Sequence, residues 1–251
     1  MKKKTNHHTF STKKKTIYRK KFEKLFLNSP LDITDLLLNL GMYSRATVFA
    51  KYLFLYEIYE KILNVPGNIH IYGTWWGQDV IILYNLREIL EPHNVKRFTI
   101  GFDTFNGYEG IGNKDIRSKI INSNNYNTGK NYFKYLSNLL QFYEKENGLE
   151  HLKKFKLIRG DISKTLERYM SKNPQEIISL AYFDLAIFKP TFSALSNIEN
   201  NLVKGSCLVF DQLNNKDYPG ETIALKKSKL FKNCKIINSR FLPDRTILIK
   251  D

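Results

Sequence analysis

The chain has 251 residues, enough to bury a full core in one large domain, and a formal net charge of +16 that raises the question of a polyanionic partner. That charge is concentrated at one end: residues 1–24 hold ten Lys/Arg against the single acid Glu23, leaving +7 on the other 227 residues. No apolar run approaches the ~20 residues of a membrane span, and no apolar signal segment precedes Lys24. Cys207 and Cys234 fit neither a disulfide framework nor a metal spacing, so a cytoplasmic protein without a transmembrane segment is expected.

Residues 1–30 read as a basic, mobile tail that includes His7 and His8; its charge is expected to be solvated, with no specific nucleic acid as partner. Residues 31–66 read as N-terminal helices, first Leu31–Leu40 and then a longer one through Val48–Ile58, stopped at Val65-Pro66-Gly67. Beyond that stop, short apolar runs alternate with helical stretches. The runs are Ile69–Tyr72, Phe98–Phe102, Phe155–Arg159, Ile178–Phe183 and Cys207–Phe210; the helices are expected over 78–90, 163–171, 191–202 and 221–231. Two further strands are expected at Lys235–Asn238 and Thr246–Ile249. Residues 104–150, with helix-like Tyr132–Tyr143, are too long for a simple connection and read as a lid or substrate insert in a catalytic domain spanning 67–251.

Alternating strands and helices predict an α/β fold with a mostly parallel sheet covered on both faces. In such sheets ligands bind beyond the carboxyl ends of the strands, which directs attention to Gly73–Gly77, Asp103, Gly160-Asp161, Asp184 and Asp211-Gln212. Gly73-Thr-Trp-Trp-Gly77 lets the backbone approach a ligand at a helix N-terminus, but it is neither a G-x-G-x-x-G fingerprint nor a Walker A loop. A nicotinamide or nucleoside triphosphate is therefore disfavoured. Asp103 closes the next strand, where a carboxylate can accept both hydroxyls of a ribose; an Asx-turn would place an aspartate there equally well. Tyr126-x-x-x-Lys130 has the spacing of short-chain dehydrogenases, but Gly129 and the flanking asparagines oppose the helix it needs. His70, His93 and His151 show no metal spacing and read as surface or turn residues.

Taken in order, Gly73–Gly77, Gly101-Phe-Asp103-Thr-Phe-Asn-Gly107, Gly160-Asp161-Ile-Ser-Lys-Thr-Leu166, Phe183-Asp184-Leu-Ala-Ile-Phe-Lys-Pro-Thr191, Val209-Phe-Asp211-Gln212 and Pro219-Gly-Glu221 resemble the macrocin O-methyltransferase family, class I S-adenosylmethionine-dependent enzymes that methylate sugar hydroxyls. The resemblance covers roughly residues 45–250. It implies a Rossmann-like seven-stranded sheet with one antiparallel strand near the C-terminus, preceded here by the N-terminal helical extension. It further implies that Gly73, Thr74, Trp75 and Gly77 line the methionine end of S-adenosylmethionine, that Asp103 and Thr104 hold its ribose, and that Asp161 and Ile162 sit beside its adenine. By the same resemblance Asp184, Asp211 and Gln212 match a metal-binding cluster, a hard-oxygen set suited to Mg2+, and Asp184 is the expected general base. The implied substrate is a sugar or nucleotide sugar, with a bacterial surface polysaccharide such as capsule favoured by the Lys-, Asn- and Ile-rich composition; a homo-oligomer is compatible with the family.

Three departures weigh against a full active site. Ile71 stands where the family carries an acid before the glycine loop, Ala186 where it carries a second acid after Asp184, and Gln212 where it carries a third metal-binding acid. A cofactor-binding member without catalysis is one alternative. An RNA methyltransferase is another, though it would need a positive stripe along the cleft rather than charge collected in a tail. Trp75 and Trp76 suit either a cofactor cover or packing beneath a lid, and Glu221 reads as a first-turn helix acid.

Overall fold

The structure is a computed structural model that describes residues 12–115, 121–122 and 125–251. His7, His8, the first lysines of the basic tail and parts of the insert therefore lie outside the described residues. Three helices come first: α1 (Lys13–Leu27), α2 (Ile33–Leu38) and α3 (Ala46–Ile62). Strands and helices then alternate: β1 (Asn68–Tyr72), α4 (Gln78–Leu90), β2 (Thr99–Asp103), α5 (Tyr132–Glu146), β3 (Phe155–Arg159), α6 (Ile162–Lys172), β4 (Ile178–Phe183), α7 (Phe188–Ile198), β5 (Leu202–Phe210) and α8 (Pro219–Lys227). The chain finishes with β6 (Cys234–Asn238) and β7 (Thr246–Lys250).

The seven strands form one sheet in the order β3-β2-β1-β4-β5-β7-β6, parallel except for β7, which runs antiparallel to both β5 and β6. The strand and helix pattern predicts its mostly parallel α/β character, and the family resemblance implies the Rossmann-like seven-stranded sheet with one antiparallel strand that is found. Strand order reverses between β1 and β4, and that reversal opens a crevice at their carboxyl ends. Side-chain alternation assigns each strand residue to one of two cores. Ile69, Ile71, Leu180, Tyr182, Cys207 and Val209 pack beneath α3, α4 and α5, while Tyr72, Phe102, Phe183, Leu208 and Phe210 pack on α6, α7 and α8.

Local chemistry explains where the elements depart from expectation. Helix α2 is shorter than Leu31–Leu40 because Asp32 caps it, accepting the N–H groups of Thr34 (2.8 Å) and Asp35 (2.9 Å). Helix α7 begins at Phe188 rather than 191; Pro190 is tolerated in its first turn, where an N–H would have no helical partner. The basic segment expected as a mobile tail is helical over Lys13–Leu27. Thr12 caps that helix, and Phe22 and Phe26, one turn apart, pack on Tyr43 with ring centroids 6.2 and 5.0 Å away.

His70 also differs from expectation. It is a fully buried strand residue, not a surface or turn residue, whereas His93 and His151 do lie in exposed turns. Facing away from Ile71, its ring contacts the Glu176 carboxylate through Nε2 (2.9 Å) and the Tyr72 hydroxyl through Nδ1 (3.0 Å). Glu176 also accepts from Asn68 (2.7 Å) and Tyr169 (2.9 Å), so one carboxylate serves two buried polar side chains and a half-buried one. Removing it leaves all three without their acceptor. Glu176→Ala is expected to lower unfolding stability by about 3 kcal/mol, measured by urea denaturation.

Candidate active site

The carboxyl ends of β1, β2, β4 and β5 open into one cleft of about 500 Å³. Of the residues singled out in the sequence, Gly73, Thr74, Trp75, Asp103, Thr104, Asp161, Ile162, Asp184, Asp211 and Gln212 all line it. Gly77 does not. It caps α4 in a left-handed conformation (φ +79°), and a Cβ there would meet the Leu136 side chain of α5 at 2.4 Å. Its contribution is to seat α4 against the insert.

Gly73 (φ +89°) is the point of closest approach between two strand ends, since a Cβ would lie 2.1 Å from the Asp184 carbonyl oxygen. Asp103 is held by main-chain N–H groups: Trp75 donates to one carboxylate oxygen (2.7 Å) and Phe105 to the other (2.6 Å). Burial pushes its pKa up, with those N–H groups and Thr74 pulling the other way. The Asx-turn and the cleft-lining position thus coincide in one residue. Thr104 spends its hydroxyl on the same turn, donating to the Gly107 carbonyl (2.7 Å). Asp161 caps α6 by accepting the Ser163 N–H (2.9 Å) while lining the cleft beside Ile162.

Tyr108 and Tyr126 of the insert border this rim. Tyr126 (φ +62°) sets its ring between Trp75, 5.5 Å away, and Tyr108, 5.2 Å away, whereas Trp76 packs on Tyr132 of α5 at 4.6 Å. Both tryptophans line the cleft, Trp75 against Tyr126 and Trp76 against α5. Asp115 ties the insert to α7, accepting the N–H groups of Phe188 (2.7 Å) and Gly112 (2.9 Å). Gly220 makes that docking possible, because a Cβ there would lie 2.4 Å from the Phe188 nitrogen.

At the β4 and β5 ends the charges are organised by groups that the sequence reading did not single out. Lys51 of α3 reaches Asp79 of α4 (2.9 Å) and donates to the Tyr182 hydroxyl (3.0 Å). Tyr182 in turn donates to Asp211 Oδ1 (3.0 Å), and Arg245, just before β7, forms an ion pair with the same carboxylate. Burial works against the Lys51 ammonium, but Asp79, Asp211 and Asp184 outweigh it and hold its pKa above the ordinary value. Asp184 is pushed well up, by burial first and then by Asp211, with Lys51 opposing. A lysine inside the apolar helical run Val48–Leu55 was the available sequence signal for this wall: a charge on a core-facing helix needs partners.

The donor set does not suit a divalent ion. Asp211 Oδ1 is taken by Tyr182 and Arg245, and its Oδ2 by the Gln212 amide (3.1 Å). Gln212 Oε1 accepts from Asn215 (3.1 Å). Among the described residues, no group of three or more His, Cys, Asp or Glu side chains is placed to hold a metal. The Mg2+ site expected at Asp184, Asp211 and Gln212 is therefore not matched by the residues present.

Glu221 does more than finish a helix turn. Fully buried, it accepts the N–H groups of Leu185 (2.9 Å) and Ala186 (2.8 Å) on one oxygen and of Gln212 (2.9 Å) on the other. It thereby clasps the ends of β4 and β5 and holds Ala186 at φ +59°, a conformation costly for a residue with a Cβ. Burial pushes the Glu221 pKa from 4.5 up to about 7, against the pull of the Ala186 N–H. A carboxyl raised in the folded state holds its proton more tightly there, so its contribution is full below pH 4.5 and is lost as pH rises towards 7. Wild type is expected to lose roughly 3 kcal/mol relative to Glu221→Gln across that window, measured by denaturant unfolding at a series of pH values.

No family model and no curated protein matches the chain. Solved structures do. The calicheamicin methyltransferase CalS11 superposes with a TM-score of 0.91 at 30% identity, covering 98% of this chain and 95% of its own. Its apo structure, that of a TDP-rhamnose 3'-O-methyltransferase in calicheamicin biosynthesis, gives 0.84 at 30% identity over 96% of each chain. The O-methyltransferase NovP, at 14% identity and a TM-score of 0.59 over 80% of this chain and 79% of its own, shares the fold. With that identity sustained over nearly the whole of both chains, and with the strand-end motifs gathered in one cleft, the chain belongs to the S-adenosylmethionine-dependent sugar O-methyltransferases, the macrocin O-methyltransferase family that its motifs resemble.

Proposed function

We propose that this enzyme methylates a hydroxyl of a nucleotide-linked sugar in the cytoplasm, for a bacterial surface polysaccharide such as capsule. The observation that carries the reading is the single cleft joining Gly73 and Asp103 at one end to Asp184 and Asp211 at the other, room for a methyl donor and an acceptor side by side. The relative that methylates TDP-rhamnose supports the nucleotide-linked acceptor. Both cysteines are buried and free, in keeping with a reducing compartment. No helix among the described residues is long and apolar enough to cross a membrane.

S-adenosylmethionine, when bound, supplies a methyl group already activated by the sulfonium charge. In this reading Gly73, Thr74 and Trp75 receive its methionine end, Asp103 with Thr104 its ribose, and Asp161 with Ile162 its adenine. The fit rests on the close backbone approach at Gly73 and on a buried Asp103 carboxylate oriented by two main-chain donors. Residues 67–251 form the catalytic domain, with 104–150 as its cover and Tyr108 and Tyr126 as aromatic walls for a sugar ring. Asp184 takes the hydroxyl proton. The cleft lining carries six acids against Lys51 and Arg245, the opposite of a groove for an RNA backbone. Ala186 and Gln212 keep one alternative in play, a cofactor binder without turnover, and binding and turnover measurements separate the two.

Calorimetry with S-adenosylmethionine should give one site per chain, weakened at least about tenfold by Asp103→Asn; no binding by wild type would sink the reading. Methyl transfer from labelled donor to TDP-rhamnose and a panel of nucleotide sugars should fall by about 10²- to 10⁴-fold in kcat in Asp184→Asn, with donor affinity intact. Full turnover in that variant would remove Asp184 as the base.

A further inference from the structure

We propose that Lys51 and Arg245 act as built-in cations in the stead of a divalent metal, so that this enzyme transfers its methyl group without one. The inference rests on the transferase reading above and deepens it by naming the groups that charge the centre. Four observations meet here. Only two carboxylates, Asp184 and Asp211, remain of the acid cluster that the family resemblance implies, since Ala186 and Gln212 stand at the other positions. Both oxygens of Asp211 are engaged by protein donors, and both ends of the Gln212 amide by protein partners. Two cations line the same cleft as the two carboxylates. Finally, the remaining acids are committed: Asp79 is paired with Lys51, and Glu221 gives its oxygens to main-chain N–H groups.

A dication entering this centre would meet a lysine ammonium and an arginine guanidinium with Asp184 as the carboxylate left to offset it, and like charges repel strongly in a partly buried site. The cations can do what a metal would. As the acceptor oxygen bonds to the methyl carbon, the carbon–sulfur bond breaks with its electron pair left on sulfur, and the hydroxyl proton passes to Asp184. Negative charge develops on the acceptor oxygen during that step. The Lys51 ammonium carries three donors, of which Asp79 and Tyr182 take two, leaving one for that oxygen. Arg245 is a positioning residue: it acts through Asp211, holding the carboxylate that orients Tyr182.

The first test needs no acceptor. Mn2+ alone, titrated against the full chain and followed by its electron paramagnetic resonance signal, should show no site tighter than about 1 mM. One ion bound per chain more tightly than that, and lost in Asp211→Asn, would overturn the proposal. Replacing Arg245 by Leu together with Gln212→Asp should create such a site, because it frees Asp211 and restores the third acid. The second test uses turnover. With TDP-rhamnose or another accepted nucleotide sugar, the wild-type rate should survive exhaustive chelation unchanged. Lys51→Met should lower kcat by about 100-fold or more, and Lys51→Arg should recover part of that loss. Unaltered donor affinity in these variants, read by calorimetry, shows that the fold is intact. A rate abolished by chelation, or full activity in Lys51→Met, would refute the proposal. Failure of wild type to bind S-adenosylmethionine would instead refute the transferase reading, and the Mn2+ titration would still decide whether the centre takes a metal.

Discussion

The arrangement depends on a single buried carboxylate. Glu221 stands at the start of α8, yet its oxygens accept three main-chain N–H groups from the segments that follow β4 and β5. Neighbouring parallel strands end in loops that diverge towards separate helices, and nothing in the sheet ladder itself keeps those loops together. Glu221 supplies that link. It fixes the backbone that follows the two strands, holds Ala186 in a left-handed conformation, and so sets Asp184 and Asp211 at the carboxyl ends of β4 and β5, beside the switch point between β1 and β4.

From this clasp the electrostatics of the cleft follow. Two carboxylates brought together in a partly buried space repel, and the chain answers with Lys51 from one helix and Arg245 from the approach to β7. The resulting wall, Asp79 to Lys51 to Tyr182 to Asp211 to Arg245, alternates charge and hydrogen bond over α4, α3, β4 and the segments after β5 and before β7. A network of ion pairs and hydrogen bonds of this kind restricts its members, because each group has little freedom to turn without leaving a neighbour unsatisfied. The opposite end of the cleft is built differently, from a glycine turn and a carboxylate held by main-chain donors. One end brings the backbone close to the open cleft, and the other gathers carboxylates and cations into contact.

Much of this was legible in the sequence because it is local. Helix and strand periods located nearly every element, and the ends of the strands named ten of the residues that line the cleft. Gly77 shows a physical limit of the sequence: a glycine at a helix entrance looks the same whether it admits a ligand or a leucine from another helix, and here a Cβ would meet Leu136. His70 was misjudged because a histidine on a parallel strand carries no mark of its partner, and Glu176 lies 106 residues further along. Lys51, Tyr182 and Arg245 went unnoticed as site residues since each sits in an unremarkable helix, strand or loop until the sheet brings them to one wall.

The sequence by itself determined the class of fold, the order of its strands and helices, and the family to which the strand-end motifs point. The first two follow from apolar periodicity and from turn chemistry, both of which act over a few neighbouring residues, and the third rests on the resemblance of the ordered motifs. Only the tertiary structure decided how the acids are used: which are capped, which are clasped and which are paired with a cation. Those outcomes turn on distances between residues remote in the chain, and the free energy of a charge depends on its partners and its exposure to water rather than on its neighbours in sequence. Asp211 is the plain example. In the sequence it is an aspartate followed by an amide; in the fold its two oxygens are already spoken for by Tyr182, Arg245 and Gln212.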